Sequence, residues 1–379
     1  MKSVFKLLLI AFASLIIFFL IMFVIWFFYP QKASNIIILD KTVHEENYLD
    51  NKSVFWVLNN ERFIKKSGQL YDYCQDYYGF IRGKQSNSKE YVVKRIQLEL
   101  VDSFSNYYDI LYYIDTYGVL YNNWYGNSIA DYSISLVDAG LKNTEYLLLK
   151  EMVDKKKLTI CEFNIIGSPT SELVREKFSD LYGFNWKGWF GKYYSTLSTN
   201  NSEIPKWIIE KYKLTNKKWP FVKGGVIILN PLGNIIVLEE GRELTKALPA
   251  IITGNNFIKK FSLPKQYNYS GWFEIIEVND SMQTEAQLIL NTTATGDSIL
   301  KTNSLSNINP LILSYKDRMY YIAADFSHGN FKYSTSFLAT VGKWYGYIYK
   351  NNPEKGFTWN YYRPLISGIM NQYVIQQQQ

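Results

Sequence analysis

Three acids are the best candidates for chemistry, because each lies at or near the end of a short apolar run. Asp40 and Asp115 each end such a run, and Glu162 lies inside a third. In open α/β sheets, ligands bind beyond the carboxyl ends of the strands, which predicts that these acids lie on or near that rim. Paired carboxylates can hydrolyse a glycosidic bond, one as acid and one as base or nucleophile. The alternative is that aspartates at strand ends only cap the loops that follow.

Aromatic residues form the second group of candidates. Trp186, Trp189 and Tyr193 lie in a segment with many aromatic side chains, and Trp124 lies in another Tyr-rich stretch. Exposed rings flanked by glycine and lysine are suited to stacking against sugar rings. Packing against the edge of a sheet would use the same residue types, so both interpretations stay open.

Other kinds of site have little support. The chain has no phosphate-binding loop, dinucleotide fingerprint, hydrolase elbow or zincin motif. Its two histidines, His44 and His328, and two cysteines, Cys74 and Cys161, exclude a Cys/His zinc cluster. We therefore predict no metal and no cofactor. Asp325 and His328 could form a site, although a surface turn explains the pair as well.

The N-terminal segment predicts a membrane anchor. Residues 7–29 are apolar almost throughout and are long enough to cross a hydrocarbon core of about 30 Å. The run is longer than a signal-peptide core and ends in bulky residues, which favours an uncleaved helix over a secretory signal. Lys2 and Lys6 precede it, so the positive-inside rule puts the N-terminus in the cytoplasm and the remaining chain outside. Trp26 and Tyr29 fit an interfacial aromatic belt.

Alternating strand and helix patterns predict an α/β fold after the anchor. Strand, helix, strand, helix between residues 35 and 183 favour a mostly parallel sheet with covering helices. The predicted organisation is a cytoplasmic tip and anchor at 1–30, an α/β core at 31–183, an aromatic-rich insertion at 184–222, a strand-rich part at 223–373 that completes the core or forms a second domain, and a disordered tail at 374–379.

The order of these elements resembles a class I glutamine amidotransferase-like domain of the flavodoxin-like type. The resemblance rests on the strands at 35–40, 108–115 and 158–166 and on the helices at 145–157 and 170–183. Members of that family carry a cysteine nucleophile on a glycine-flanked elbow and a downstream His-x-Glu. Here Cys161 has no flanking glycine and no His-x-Glu exists. The resemblance therefore implies a degenerate copy used for binding or scaffolding.

Three functional hypotheses follow. The first is a non-catalytic envelope protein that binds a glycan or a membrane partner, as in polysaccharide assembly or export. The second is a carboxylate-based glycan hydrolase that uses Asp115 and Glu162, with Asp40 as a further candidate. The third is a structural or signalling partner protein. The formal net charge of +7 is spread among interleaved acids, so we predict no nucleic-acid partner.

Overall fold

The computed structural model describes residues 2–83, 90–121, 124, 135–279 and 281–378. Its helices, in chain order, are α1 (Lys2–Phe27), α2 (Lys52–Asn60), α3 (Val101–Tyr107), α4 (Asn143–Asp154), α5 (Glu172–Tyr182), α6 (Lys206–Asn216), α7 (Asn255–Phe261), α8 (Ala294–Thr302), α9 (Val341–Ile348), α10 (Pro353–Phe357) and α11 (Arg363–Gln378). Helix α11 extends through residues 374–378, where sequence analysis predicts a disordered tail.

The strands are β1 (Lys32–Ala33), β2 (Ile36–Asp40), β3 (Phe63–Ile64), β4 (Tyr78–Arg82), β5 (Tyr91–Lys94), β6 (Ile110–Asp115), β7 (Val119–Leu120), β8 (Leu136–Val137), β9 (Leu158–Cys161), β10 (Phe184–Tyr194), β11 (Gly225–Leu229), β12 (Ile235–Glu239), β13 (Ala250–Thr253), β14 (Gln266–Asn268), β15 (Trp272–Val278), β16 (Gln283–Ile289), β17 (Ile308–Tyr315) and β18 (Met319–Ile322). Strand β4 was not expected, because its Tyr- and Gly-containing sequence follows an irregular polar stretch.

One large mixed sheet organises the chain, in the order β14-β13-β16-β17-β18-β9-β6-β2-β4-β5. The pairs from β18 through β9, β6 and β2 to β4 are parallel. The remaining pairs are antiparallel. The expectation of a mostly parallel sheet is therefore corrected to a mixed one. The reason is local, because short turns such as residues 316–318 can only join antiparallel neighbours.

The two faces of this sheet bury separate apolar cores. Along β2, Ile36 and Ile38 face one core, together with helix α2 and much of α11. Ile37 and Leu39 face the other core, with helices α4 and α5. Strand side chains alternate between faces, so a strand buried on both faces is continuously apolar, as β2 is. This burial fixes the register that brings the carboxyl ends of the parallel strands together.

A second, antiparallel sheet has the order β12-β11-β10-β15. The segment 184–222, expected as an insertion, supplies its long strand β10 and helix α6, which share a small core with β11 and β12. Strands β11, β12 and β15 come from the strand-rich part of the chain, whose other strands extend the large sheet. The two sheets meet where the Asp325 amide donates to the Trp272 carbonyl oxygen at 3.0 Å.

Helix α1 is long and apolar enough to cross a membrane by length and composition, over Val4–Phe27. These properties are compatible with a single-pass anchor or with a signal sequence. Its last turns pack on the remainder of the chain, since Met22 and Trp26 are only 5% and 3% exposed. The Trp26 indole donates to the Asn59 carbonyl oxygen at 3.0 Å, and the Arg62 guanidinium lies 4.6 Å from the centre of its ring.

Candidate functional site

The carboxyl edge of the parallel strands collects acids from four elements. Asp40 and Asp115 end the neighbouring strands β2 and β6 and face each other in register. Glu162 directly follows β9, and Asp325 lies three residues after β18. Because parallel strands end at the same edge of a sheet, all four lie along one rim. The sequence prediction that Asp40, Asp115 and Glu162 share this rim agrees with this placement.

Asp40 is the most unusual of these acids. Its side chain is fully buried. One oxygen, Oδ1, accepts from the Thr42 amide at 2.9 Å and from the Thr42 hydroxyl at 2.6 Å. The other, Oδ2, has no hydrogen-bond partner. Burial raises the pKa of Asp40 to about 8, and the nearby charges of Asp50 and Asp325 add to the rise. At neutral pH this carboxyl group carries a proton and can donate a hydrogen bond.

Asp115 keeps part of its surface accessible. Loss of hydration among the surrounding protein atoms raises its pKa well above the usual range, and the charges of Asp40 and Asp325 raise it further. The Tyr117 amide opposes this effect by donating to Asp115 Oδ1 at 2.6 Å. Raised pKa values at two neighbouring carboxyl groups are typical of a pair in which one group stays protonated while the other ionises.

Glu162 is fully buried, and both of its carboxyl oxygens accept hydrogen bonds. The Tyr112 hydroxyl donates to Oε1. The amides of Phe326 and Ser327 donate to Oε2 at 3.3 Å and 3.1 Å. Burial raises the pKa of Glu162 to about 8, although these hydrogen bonds lower it. Glu162 thereby holds the turn that carries Asp325 and the residues after it.

The turn after β18 brings a histidine to the rim. His328 Nδ1 lies 3.1 Å from Asp50 Oδ1, and the Gly329 amide donates to the Leu49 carbonyl oxygen at 3.0 Å. Burial lowers the pKa of His328, but the Asp50 hydrogen bond and the charge of Asp325 outweigh it and raise the value to about 9. Sequence analysis noted the Asp325 and His328 pair but missed Asp50, whose contact spans 278 positions and leaves no local signal.

Three buried polar atoms without a hydrogen-bond partner lie near this turn. They are Asp40 Oδ2, and Asn51 Oδ1 and Ser53 Oγ at the start of α2. A Cβ added at Gly329 would lie 2.7 Å from Ser53 Oγ, so the turn packs closely on the start of α2. Unpaired buried polar atoms are costly, and each calls for an explanation such as a bound water, an ion or a functional role. Among the described residues, no group of three or more His, Cys, Asp or Glu is arranged to hold a metal ion.

The predicted aromatic platform is distributed over different parts of the fold. Trp186 is half-buried, and its indole donates to the Trp189 carbonyl oxygen at 3.1 Å. Trp189 is 8% exposed and belongs to the core shared with α2. Tyr193 is half-buried on β10. Trp124 is 3% exposed and packs on Phe80 in a separate cluster. The structure therefore does not bring these four rings into one surface.

A different aromatic residue borders the acids. Trp272 is half-buried, and its carbonyl oxygen accepts from the Asp325 amide. The Lys192 ammonium lies 5.6 Å from the centre of its ring, and the charge of Lys192 lowers the pKa of Asp325, although burial as the largest effect raises it overall. Strand β10 therefore reaches the rim through Lys192. Sequence analysis missed Trp272, because only the contact between β15 and the segment after β18 brings it to the acids.

Comparisons with known proteins add little about the site. No protein-family model matches the chain, and no curated protein matches it. Among solved structures, the chain is similar to a ThuA-like protein from Bacteroides uniformis, with 10% sequence identity and a TM-score of 0.36. The similarity covers 89% of this chain and 92% of that one.

Proposed function

We propose that this chain is a membrane-anchored protein of the cell envelope whose extracytoplasmic domain binds a glycan at the acidic rim. The observation that carries the proposal is Asp40, a fully buried carboxyl group with a raised pKa and an oxygen that no protein group satisfies. A protonated carboxyl group offers a donor at one oxygen and an acceptor at the other. Sugar hydroxyl groups require both from their binding site.

The topology supports the location of this site. The five strands in parallel pairing have the spatial order β4, β2, β6, β9, β18, which is the order 2-1-3-4-5 of flavodoxin-like sheets when counted along the chain. In such sheets, ligands bind at the point where the strand order reverses, which here lies between β2 and β6. Asp40 and Asp115 end these two strands. We therefore propose a flavodoxin-like half within the mixed sheet, with its binding crevice at Asp40.

The packing of α1 supports an uncleaved anchor. A secretory signal is removed, so its residues have no role in the mature fold. In this chain, Met22 and Trp26 are buried against the domain, and the Ala339 amide donates to the Met22 carbonyl oxygen at 3.1 Å. Intact-mass measurement of the protein from the membrane fraction should find the complete N-terminus. A chain that begins after residue 30 would overturn the anchor.

Calorimetric titration of the full-length protein in lipid nanodiscs, with a panel of neutral and acidic envelope oligosaccharides, tests glycan binding. Asp40→Ala should weaken the binding of any oligosaccharide that the wild type binds by roughly tenfold or more, because a buried ligand hydroxyl group left without its partner costs about 1–3 kcal/mol. Asp102→Ala is the control, since Asp102 is 83% exposed on α3. A wild type that binds none of the panel, or an Asp40→Ala variant that binds normally, would overturn the proposal.

A carboxylate-based hydrolase is the second proposal, supported by the raised pKa values of Asp115 and Glu162. A carboxylic acid that holds its proton at neutral pH is the usual general acid in glycoside hydrolysis. Both oxygens of Glu162 accept hydrogen bonds from the protein, which favours the binding role. Turnover of a bound oligosaccharide that is abolished in Asp115→Asn and in Glu162→Gln would favour the hydrolase instead.

A further inference from the structure

Helix α9 exposes an aromatic and apolar face. Trp344, Tyr347 and Ile348 are 52%, 70% and 62% exposed. Their spacing of three and four residues places them on one side of the helix. Exposed contiguous apolar surface of this kind marks a contact with a protein, a ligand or a membrane.

The same side of α9 carries positive charge. Lys343 on the helix and Lys350 just after it are exposed. At 100° per residue, Lys343 lies next to Tyr347 and away from the buried Val341, and Lys350 follows the C-terminal end of the helix. An apolar face bordered by lysines is typical of helices that lie in the plane of a membrane surface.

The opposite side of α9 holds it firmly on the domain. Tyr345 packs on Trp359 with ring centres 4.7 Å apart, and the Asn360 side chain donates to the Gly346 carbonyl oxygen at 3.0 Å. A Cβ at Gly346 would lie 2.4 Å from Asn360 Oδ1, so the helix packs closely only because glycine is present. The orientation of the exposed face is therefore set by the fold.

Helix α9 also lies directly beside the anchor. The Trp344 ring contacts the Phe18 ring edge to face, with centres 6.1 Å apart. Phe18 lies about 16 Å along α1 from Leu7, which is past the middle of a hydrocarbon core of about 30 Å. The contact therefore falls in the outer half of the bilayer if α1 spans it. Any part of the soluble domain that contacts Phe18 must therefore lie close to the lipid.

We propose that α9 is a second membrane-contact element, whose Trp344, Tyr347 and Ile348 face inserts among the outer-leaflet lipids. Trp344, which contacts Phe18, then lies among the acyl chains, while the long side chains of Lys343 and Lys350 reach toward the lipid phosphates. The inference rests on the proposed anchoring by α1. It means that the domain has one fixed orientation on the membrane, with its acidic rim at a constant height.

Lipid quenching of a fluorophore tests this inference in the full chain, reconstituted in vesicles of phosphatidylcholine and phosphatidylglycerol. A Cys74→Ser background leaves Cys161, which is fully buried and unreactive. An environment-sensitive label is placed at Tyr347→Cys, at Leu214→Cys or at Ile10→Cys. Leu214 on α6 is 86% exposed and is the matched soluble position, and Ile10 on α1 is 61% exposed and reports on the anchor itself.

Doxyl lipids should quench the label at 347 at least twofold more than the label at 214. Equal quenching at 347 and 214, with strong quenching at 10, would overturn the role of α9 and leave the anchor intact. Absence of quenching at 10 would overturn the anchor and this inference together. An unquenched label at 347 whose free cysteine cross-links two chains would assign the face to a second copy instead.

Discussion

At the residue scale, the main feature of the molecule is a set of buried acids with raised pKa values. Asp40, Glu162 and Glu274 all have pKa values raised by burial, to about 8, about 8 and about 7. Tyrosine hydroxyl groups donate to two of them, Tyr112 to Glu162 and Tyr321 to Glu274. Asp40 lacks such a donor at Oδ2, which distinguishes the candidate binding group from its structural neighbours.

The pH dependence of stability should report on Asp40. Its folded-state pKa of about 8 exceeds the unfolded value of 3.8, so the folded state binds more protons between these values. The free energy of unfolding therefore falls as pH rises through this window, by up to about 1.4 kcal/mol per pH unit for one proton. Chemical unfolding from pH 5 to 8 should show a shallower slope in Asp40→Asn than in the wild type. The exposed control Asp102→Asn should retain the wild-type slope, and a slope unchanged in Asp40→Asn would contradict the raised pKa.

Removal of the Tyr112 hydroxyl group tests whether its hydrogen bond to Glu162 stabilises the fold. Tyr112→Phe leaves Oε1 of a buried carboxyl group without its donor, which should cost about 1–3 kcal/mol of stability. Tyr107→Phe, at a position 57% exposed on α3, should change stability by less than about 0.5 kcal/mol. Chemical denaturation midpoints compare the two, and equal effects would show that Glu162 does not depend on Tyr112.

At the scale of elements, a close contact between strands shapes the rim. Strand β4 pairs with the end of β2, where Gly79 is in register with Asp40. Gly79 has a φ of +115°, and a Cβ there would lie 1.9 Å from the Asp40 carbonyl oxygen. Only glycine lets β4 approach Asp40 this closely, so the position of the acid depends on its neighbour strand.

Gly79→Ala should therefore destabilise the protein and displace Asp40. Gly68→Ala is the matched control, because Gly68 has a φ of +87° and open space around its Cα. Both substitutions impose backbone strain, but only the first adds a clash. We expect Gly79→Ala to lower the free energy of unfolding by at least about 1 kcal/mol more than Gly68→Ala does. Equal losses in denaturant titrations would show that β4 adjusts without disturbing β2.

At the scale of the whole molecule, helix α1 and the domain form one packed unit. Trp26 is buried among the end of α2 and the turn at 333–337, where its ring lies 5.0 Å from that of Phe337. This joint leaves the domain little freedom to rotate relative to α1. Under the proposed anchoring, a ligand at the rim would be presented at a defined distance from the lipid.

Trp26→Ala should loosen this joint. A buried tryptophan replaced by alanine typically costs about 3–5 kcal/mol, and here the indole hydrogen bond to Asn59 is lost as well. Phe28→Ala, at a position 77% exposed, should leave stability nearly unchanged. Thermal unfolding in detergent compares the variants, and proteolysis between α1 and β2 should accelerate only in Trp26→Ala. Equal melting temperatures would show that α1 is joined to the domain only by the chain and does not contribute to its stability.

The sequence by itself determined the local features. Runs of apolar residues predicted α1 and the strands β2, β6 and β9, because hydrophobic length and burial on both faces are properties of contiguous residues. The glycine after α5 adopts a φ of +65°, as a helix-ending Gly183 requires. The acids Asp40, Asp115 and Glu162 were identified for the same reason, since each follows or interrupts such a run.

The tertiary structure decided what comes together across the chain. Pairing of β18 with β9 joins the C-terminal strands to the parallel ones, which makes the sheet mixed and brings Asp325 and His328 to the rim. The contact of β15 with the segment after β18 brings Trp272 there, and pairing of β10 with β15 adds Lys192. Trp124 and Trp189 are buried in cores instead. These contacts depend on which apolar faces can be buried together, a condition that involves residues hundreds of positions apart and leaves no periodic signal in any one segment.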